Sequence, residues 1–205
     1  MDYPKLKVEG YGLQPQEYFW RGEEMLKQAI ENQNPHFLFY AAFEFRCCLE
    51  QTLKVYLELI NPDSWSKTMA KLYRTKRIKK KILSREPEFY KKVEFVDICI
   101  RSMGLKGVHS LDLDAADKHY GMIGDFMHAQ VRPDDTVENP EWWGRFVAVL
   151  RHTRDYLFDI LSHDMGFIDL NEGGWELYEK WKAGDLTEEE VMDEFRQGLQ
   201  QQGSV

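Results

Sequence analysis

The stretch Phe37-Leu38-Phe39-Tyr40-Ala41-Ala42-Phe43 limits what this chain can become more than any other. Asn34-Pro35 stands before it, and that pair marks a helix start. The asparagine side chain accepts from free backbone N–H groups, and the proline ring fixes a helical φ. At 3.6 residues per turn, an unbroken apolar run leaves the helix no polar side. Such a helix is expected to be enclosed by other helices. The run is also far shorter than the roughly 20 residues that cross a bilayer, so no membrane role is expected.

The rest of the chain breaks into pieces of helical size. Helices are expected at about 15–32, 35–60, 64–83, 88–103, 112–130 and 140–164, with two shorter ones at about 174–183 and 187–200. Asn139-Pro140 repeats the start signal of Asn34-Pro35, and Asn61-Pro62 and Glu86-Pro87 bracket the third segment. Thr187-Glu188-Glu189-Glu190 has the pattern of a capping box, in which side chains satisfy two orphan donors reciprocally. No segment alternates apolar and polar residues with β-branched enrichment, and there is no repeat. The expected fold is all-α: an up-and-down helical bundle over residues 1–165, with a short acidic C-terminal helical hairpin over 166–205 as an appendage.

Composition bounds the class. Hydrophobic residues make up 43% and aromatics 14%, enough for a sizeable core and too much for wholesale disorder. Three cysteines, two of them adjacent (Cys47, Cys48), argue against a disulfide framework and suit a reducing cytosol. Met1-Asp2-Tyr3-Pro4-Lys5 lacks the layout of a secretion signal, so a cytoplasmic location is expected.

Charge is distributed unevenly. The formal net charge is -8, yet Lys67 to Arg85 holds nine Lys/Arg and no Asp or Glu. The remainder has 18 basic and 35 acidic residues, or -17, and Asp169 to Arg196 carries ten acids against three bases. A basic segment of this kind suits a polyanion such as RNA, with Lys76, Arg77, Lys79, Lys80 and Lys81 as candidate backbone contacts and Trp65 and Tyr73 as aromatics nearby. It equally suits a solvated helix that attracts the acidic tail of its own or a neighbouring chain.

Charges within apolar helices mark candidate sites. Arg46 and Glu50 are four apart and can pair, whereas Glu44 needs a partner from another helix, since an unpaired buried charge costs several kcal/mol. Arg154, inside the apolar stripe of its helix, is a candidate. Asp117, Gly121, Gly124 and His128 share a face of the 112–130 helix. Glycine costs about 1 kcal/mol in a helix interior, so two on one face point to a close approach by a neighbouring helix or by a ligand beside His128. His128 is then a packing residue or a general acid/base. Arg145 and His152 lie seven apart, within about 20° of two full turns, and project from one face. They read as a salt-bridged surface with Asp155 and Asp159, or as a pair in which arginine steadies a charged transition state while histidine moves a proton.

Other chemistries find little support. Asp125 and His128 have half of a di-iron spacing without the other half, and His109, His119 and His128 share no face. Asp112, Asp114 and Asp117 lack the glycine and glutamate of an EF-hand. There is no P-loop, Gly-x-Gly-x-x-Gly or Gly-x-Ser-x-Gly, and Cys99 reads as a packing thiol. No metal or cofactor is expected.

Ala41-Ala42-Phe43-Glu44-Phe45-Arg46-Cys47-Cys48-Leu49-Glu50 resembles an Ala-x-Glu-x-Arg-x-x-x-Glu pattern in the first long helix of small bacterial helical proteins. Tyr120-Gly121 and His128-Ala129 resemble the later-helix motifs of the same proteins. Over roughly residues 15–164 the chain is similar to a divergent HEPN-type bundle. The resemblance implies a homodimer and, in many members, a metal-independent ribonuclease of toxin–antitoxin, CRISPR-associated or phage-defence systems. Their motif is arginine, four to six residues, then histidine, at the dimer interface. Arg145 and His152 match its upper limit, but Phe146 stands where the family prefers a polar residue. An alternative polar centre is Arg46, Glu50 and His128. Several HEPN-like groups have lost catalysis. Two main readings therefore stand: an RNA-directed protein, in its catalytic form a metal-independent endoribonuclease, or a non-catalytic interaction module; small-molecule binding in a bundle pocket has only the abundant aromatics behind it. The Trp175, Leu177, Tyr178, Trp181 pattern of the hairpin would then pack on a protein partner.

Overall fold

A computed structural model describes residues 14–60, 74–104, 111–127, 139–162 and 172–202. Among them are eight helices and no strand: α1 (Pro15–Asn32), α2 (Pro35–Leu59), α3 (Thr75–Arg85), α4 (Phe89–Ser102), α5 (Leu113–Met127), α6 (Pro140–Ser162), α7 (Glu172–Ala183) and α8 (Glu188–Gln202). The protein is an all-α helical bundle. No helix among the described residues is long and apolar enough to cross a membrane.

The start signals act as their chemistry requires. Asn34 Oδ1 accepts from the His36 N–H at 3.0 Å, and Asn139 Oδ1 accepts from the Glu141 N–H at 2.9 Å. The Thr187 box closes in both directions: Thr187 N–H donates to Glu190 Oε2 at 2.7 Å, and Glu190 N–H to Thr187 Oγ1 at 3.3 Å. Asp112 caps α5, taking the Asp114 and Ala115 N–H groups at 2.8 and 3.0 Å. Trp65, Tyr73 and the first part of the expected 64–83 helix lie outside the described residues.

The chain forms two compact units, residues 1–52 with 118–157, and residues 53–117 with 158–205. In the first, α1, α2, α5 and α6 bury Phe19, Leu26, Leu38, Phe45, Ile123, Phe146 and Leu150. An aromatic cluster locks three of these helices. Phe146 of α6 stacks on Phe126 of α5 at 4.6 Å and meets Phe39 of α2 edge-on at 5.6 Å. Trp142, one turn earlier, touches the same rings. Phe146 is fully buried, which accounts for an apolar residue beside Arg145.

Enclosure of α2 is incomplete. Leu38, Ala41, Ala42 and Phe45 are fully buried, but Tyr40 is 59% and Phe43 54% exposed. The apolar run covers one stripe more than the helices of the described chain bury. The partner expected for Glu44 is also different. Arg21 of α1 donates Nε and Nη2 to Glu44 Oε2 at 3.0 and 2.9 Å, while Arg154 bonds Asp155 and lies 3.9 Å from Glu23. Arg154 is half-exposed at the margin of its stripe rather than inside it, so its charge stays near water.

In the second unit, α7 and α8 pack on α4, with Phe95, Val96, Ile98, Cys99 and Ile100 meeting Leu177, Tyr178 and Val191. Tyr178 and Trp181 both close on the Phe95 ring, at 5.5 and 5.8 Å. The aromatic pattern of the hairpin is thus spent largely inside its own unit. Among the described residues, Lys182 pairs with Glu88, just before α4, and Glu188 with Arg101 of α4.

The glycines separate into two kinds. A Cβ on Gly22 would stand 2.5 Å from Phe45 Cε1, in a ring that is fully buried and cannot swing away. At Gly121 and Gly124 a Cβ would meet no described atom within 4 Å, so the close approach expected there is not made by the described chain. Gly22→Ala should cost about 1–3 kcal/mol through overpacking. Gly121→Ala should be neutral or stabilising by up to ~1 kcal/mol. Urea unfolding should give a midpoint below the wild-type value for Gly22→Ala and at or above it for Gly121→Ala; a tolerated Gly22→Ala would contradict the packing.

Candidate functional site

Two polar arrangements occupy the first unit, and both use sequence-selected residues. The first joins α2 to α5. Arg46 lies over the Tyr120 ring, 4.2 Å from its centroid, and Nη2 donates to the Tyr120 hydroxyl. Its Nη1 reaches Met127 Sδ at 3.5 Å. The Tyr120 hydroxyl is also hydrogen-bonded to Glu50. Burial, aided by the Glu50 carboxylate, raises the Tyr120 pKa, so the phenol stays neutral and donates. Arg46 and Glu50 are therefore bridged by a tyrosine hydroxyl rather than acting as a bare ion pair. His128, the third member expected here, lies outside the described residues.

The second arrangement sits on α6. Arg145 and His152 are both exposed. His152 is not isolated, because its ring lies 4.7 Å from that of His119 on α5. His119 is 4% exposed, makes a 3.0 Å hydrogen bond between Nδ1 and Thr153 Oγ1, and stacks on Tyr156 at 4.6 Å. A buried, fixed imidazole thus backs an exposed one. In the sequence His119 reads only as a metal-ligand candidate; its placement depends on the pairing of α5 with α6, which no local pattern announces. Asp155, expected beside Arg145 and His152, is held by Arg154.

The basic segment divides by exposure. Lys76, Arg77 and Lys80 of α3 are exposed and Lys81 half-exposed. Lys79 is engaged by Asp114, which also accepts from the Tyr90 hydroxyl at 2.7 Å. The contact with Lys79 and Tyr90 holds the Asp114 carboxyl below its ordinary range. Asp117 accepts from Thr75 Oγ1 at 2.7 Å, anchoring the start of α3. Among the described residues no group of three or more His, Cys, Asp or Glu side chains is placed to hold a metal ion.

The cysteines are placed as packing groups. Burial, reinforced by Glu50 and Glu44, pushes the Cys47 thiol up to about 11, and burial takes Cys48 and Cys99 to about 12. Neutral thiols are poor nucleophiles. Alkylation of the native protein at pH 8 should be slow and should rise about tenfold per pH unit toward pH 11. Unfolding returns these thiols to about 8.5, so their contribution to stability is complete below that pH and is lost as pH rises toward 11. Rapid labelling at pH 7 would contradict this placement.

Fold and sites together define an all-α bundle with a histidine pair contributed by two helices, His119 from α5 and His152 from α6, and a basic helix, α3. No family model, curated protein or solved structure matches the chain.

Proposed function

We propose that this is an RNA-directed protein of the HEPN kind, a metal-independent endoribonuclease with a defence or toxin-like role. The observation that carries this reading is the exposed His152 against the buried His119, on the helix face that also presents Arg145. In the reaction the ribose 2′-oxygen attacks the adjacent phosphorus. The O2′–P bond forms, the P–O5′ bond breaks, and a 2′,3′-cyclic phosphate remains. His152 takes the 2′-hydroxyl proton and, as imidazolium, returns one to the departing 5′-oxygen. Arg145 stabilises the added charge on phosphate. His119, too buried to meet substrate, is a positioning residue.

The exposed cations of α3 supply backbone affinity. Replacing Lys76, Arg77 and Lys80 with glutamine should weaken RNA binding across sequences and lower the slope of log affinity against log salt by about 2–3. Lys79→Gln should change that slope little, because Asp114 already neutralises it. Equal effects of all four would count against the division.

The direct test is cleavage of total RNA and purified tRNA in EDTA by the wild type, His152→Ala and Arg145→Ala. A loss of about 10²-fold or more is expected in His152→Ala. Undiminished cleavage by both variants would refute the assignment.

A second reading, a non-catalytic interaction or dimerisation module, is favoured by the open stripe of α2. Tyr40 and Phe43 stand side by side, i and i+3, with more than half of each ring in water. Folded protein that cleaves nothing, but loses self-association or partner binding on Phe43→Glu, belongs to this reading.

A further inference from the structure

The groove between α1 and α6 has a composition that the proposed chemistry does not use. It is an open groove of about 570 Å3, lined by Trp20, Leu26 and Ile30, with Arg151 and Arg154 along its α6 side. That volume lies within the range of small-molecule sites, roughly 300–1,000 Å3. At 60% exposure, Trp20 is the most exposed large apolar side chain among the described residues. Its indole meets the buried Phe19 edge-on at 5.2 Å and otherwise stays open to solvent. An exposed indole is a stacking surface for a flat ring.

Charge selects the kind of ring. Three glutamates share the groove, and each has a described partner. Glu23 faces Arg154, Glu31 is 4.0 Å from Lys27, and Glu24 accepts from the Gln28 amide at 2.9 Å. Arg154 is further occupied by Asp155. Arg151 is the lining cation for which no ion pair is described, and it is exposed. An aromatic platform with one uncommitted guanidinium matches a nucleobase and its phosphate. Arg151 also adjoins His152 in sequence, turned about 100° around α6 toward the groove.

We propose that this groove is a base-binding subsite for single-stranded RNA, with Trp20 as the stacking platform and Arg151 as the phosphate contact. The inference rests on the RNA-directed reading and adds to it a preference for unpaired over paired strands, since only an unstacked base can enter.

The test measures fluorescence anisotropy of a labelled 12-nucleotide 2′-O-methyl RNA, which cannot be cleaved, as a single strand and as a duplex. Trp20→Leu should weaken single-strand binding about tenfold and leave duplex binding unchanged, whereas Trp20→Phe should retain most of the affinity. Arg151→Gln should weaken single-strand binding and reduce its salt dependence. Should Trp20→Leu lose its helical circular dichroism, Arg151→Gln decides the matter. Wild-type affinity in both Trp20→Leu and Arg151→Gln would overturn the subsite and leave the RNA-directed reading standing. Failure of the wild type to bind either RNA would overturn both.

Discussion

The pairing of α5 with α6 is the constraint on which the first unit depends. Two contacts fix its register: Phe126 against Phe146, and His119 against Thr153. Moving seven residues back along α5, from Phe126 to His119, corresponds to moving seven forward along α6, from Phe146 to Thr153. The helices therefore run antiparallel, with contacts repeating every two turns, the spacing at which helical side chains interdigitate. The aromatic stack sets the register by burying large apolar area, and the histidine pair is carried into place by it. A polar site on a rigid pair of helices costs little further ordering at the moment of binding.

The two charges within the apolar half of α2 are both satisfied. Glu44 and Arg46 leave α2 in opposite directions, and each finds its partner on a different neighbouring helix, Arg21 on α1 and Tyr120 on α5. Neither carboxylate nor guanidinium is left buried and unmet. Arg46 is consequently committed to holding α5 against α2. Arg145 and His152 are both exposed on α6, where a ligand can reach them.

Much of the fold was legible because its signals are local. Asn-Pro pairs, the Thr187 box and 3.6-residue periodicity act over a few residues, and they place α1, α2, α6 and α8 nearly to the residue. What was not legible depends on register between distant helices. Whether Glu44 meets Arg21 or Arg154 is decided by which helix flanks α2, and the sequence contains both arginines in suitable settings. The apolar run of α2 states how much surface avoids water without stating which chain covers it, so Tyr40 and Phe43 stand open. Gly121 and Gly124 stand out by their spacing, yet Gly22 is the one pressed against a ring, and a single glycine has no sequence mark of such a contact.

The central claim is that the α6 face bearing Arg145 and His152 meets RNA. It is tested most directly by nuclear magnetic resonance, following imidazole and arginine side-chain signals while a non-cleavable 2′-O-methyl RNA strand is added. The account predicts that His152 and Arg145 shift first and saturate together, that His119 follows through ring contact, and that Arg46 and Tyr120 barely move. Shifts confined to residues around Tyr40 and Phe43, or no shift at His152 at saturating RNA, would contradict it.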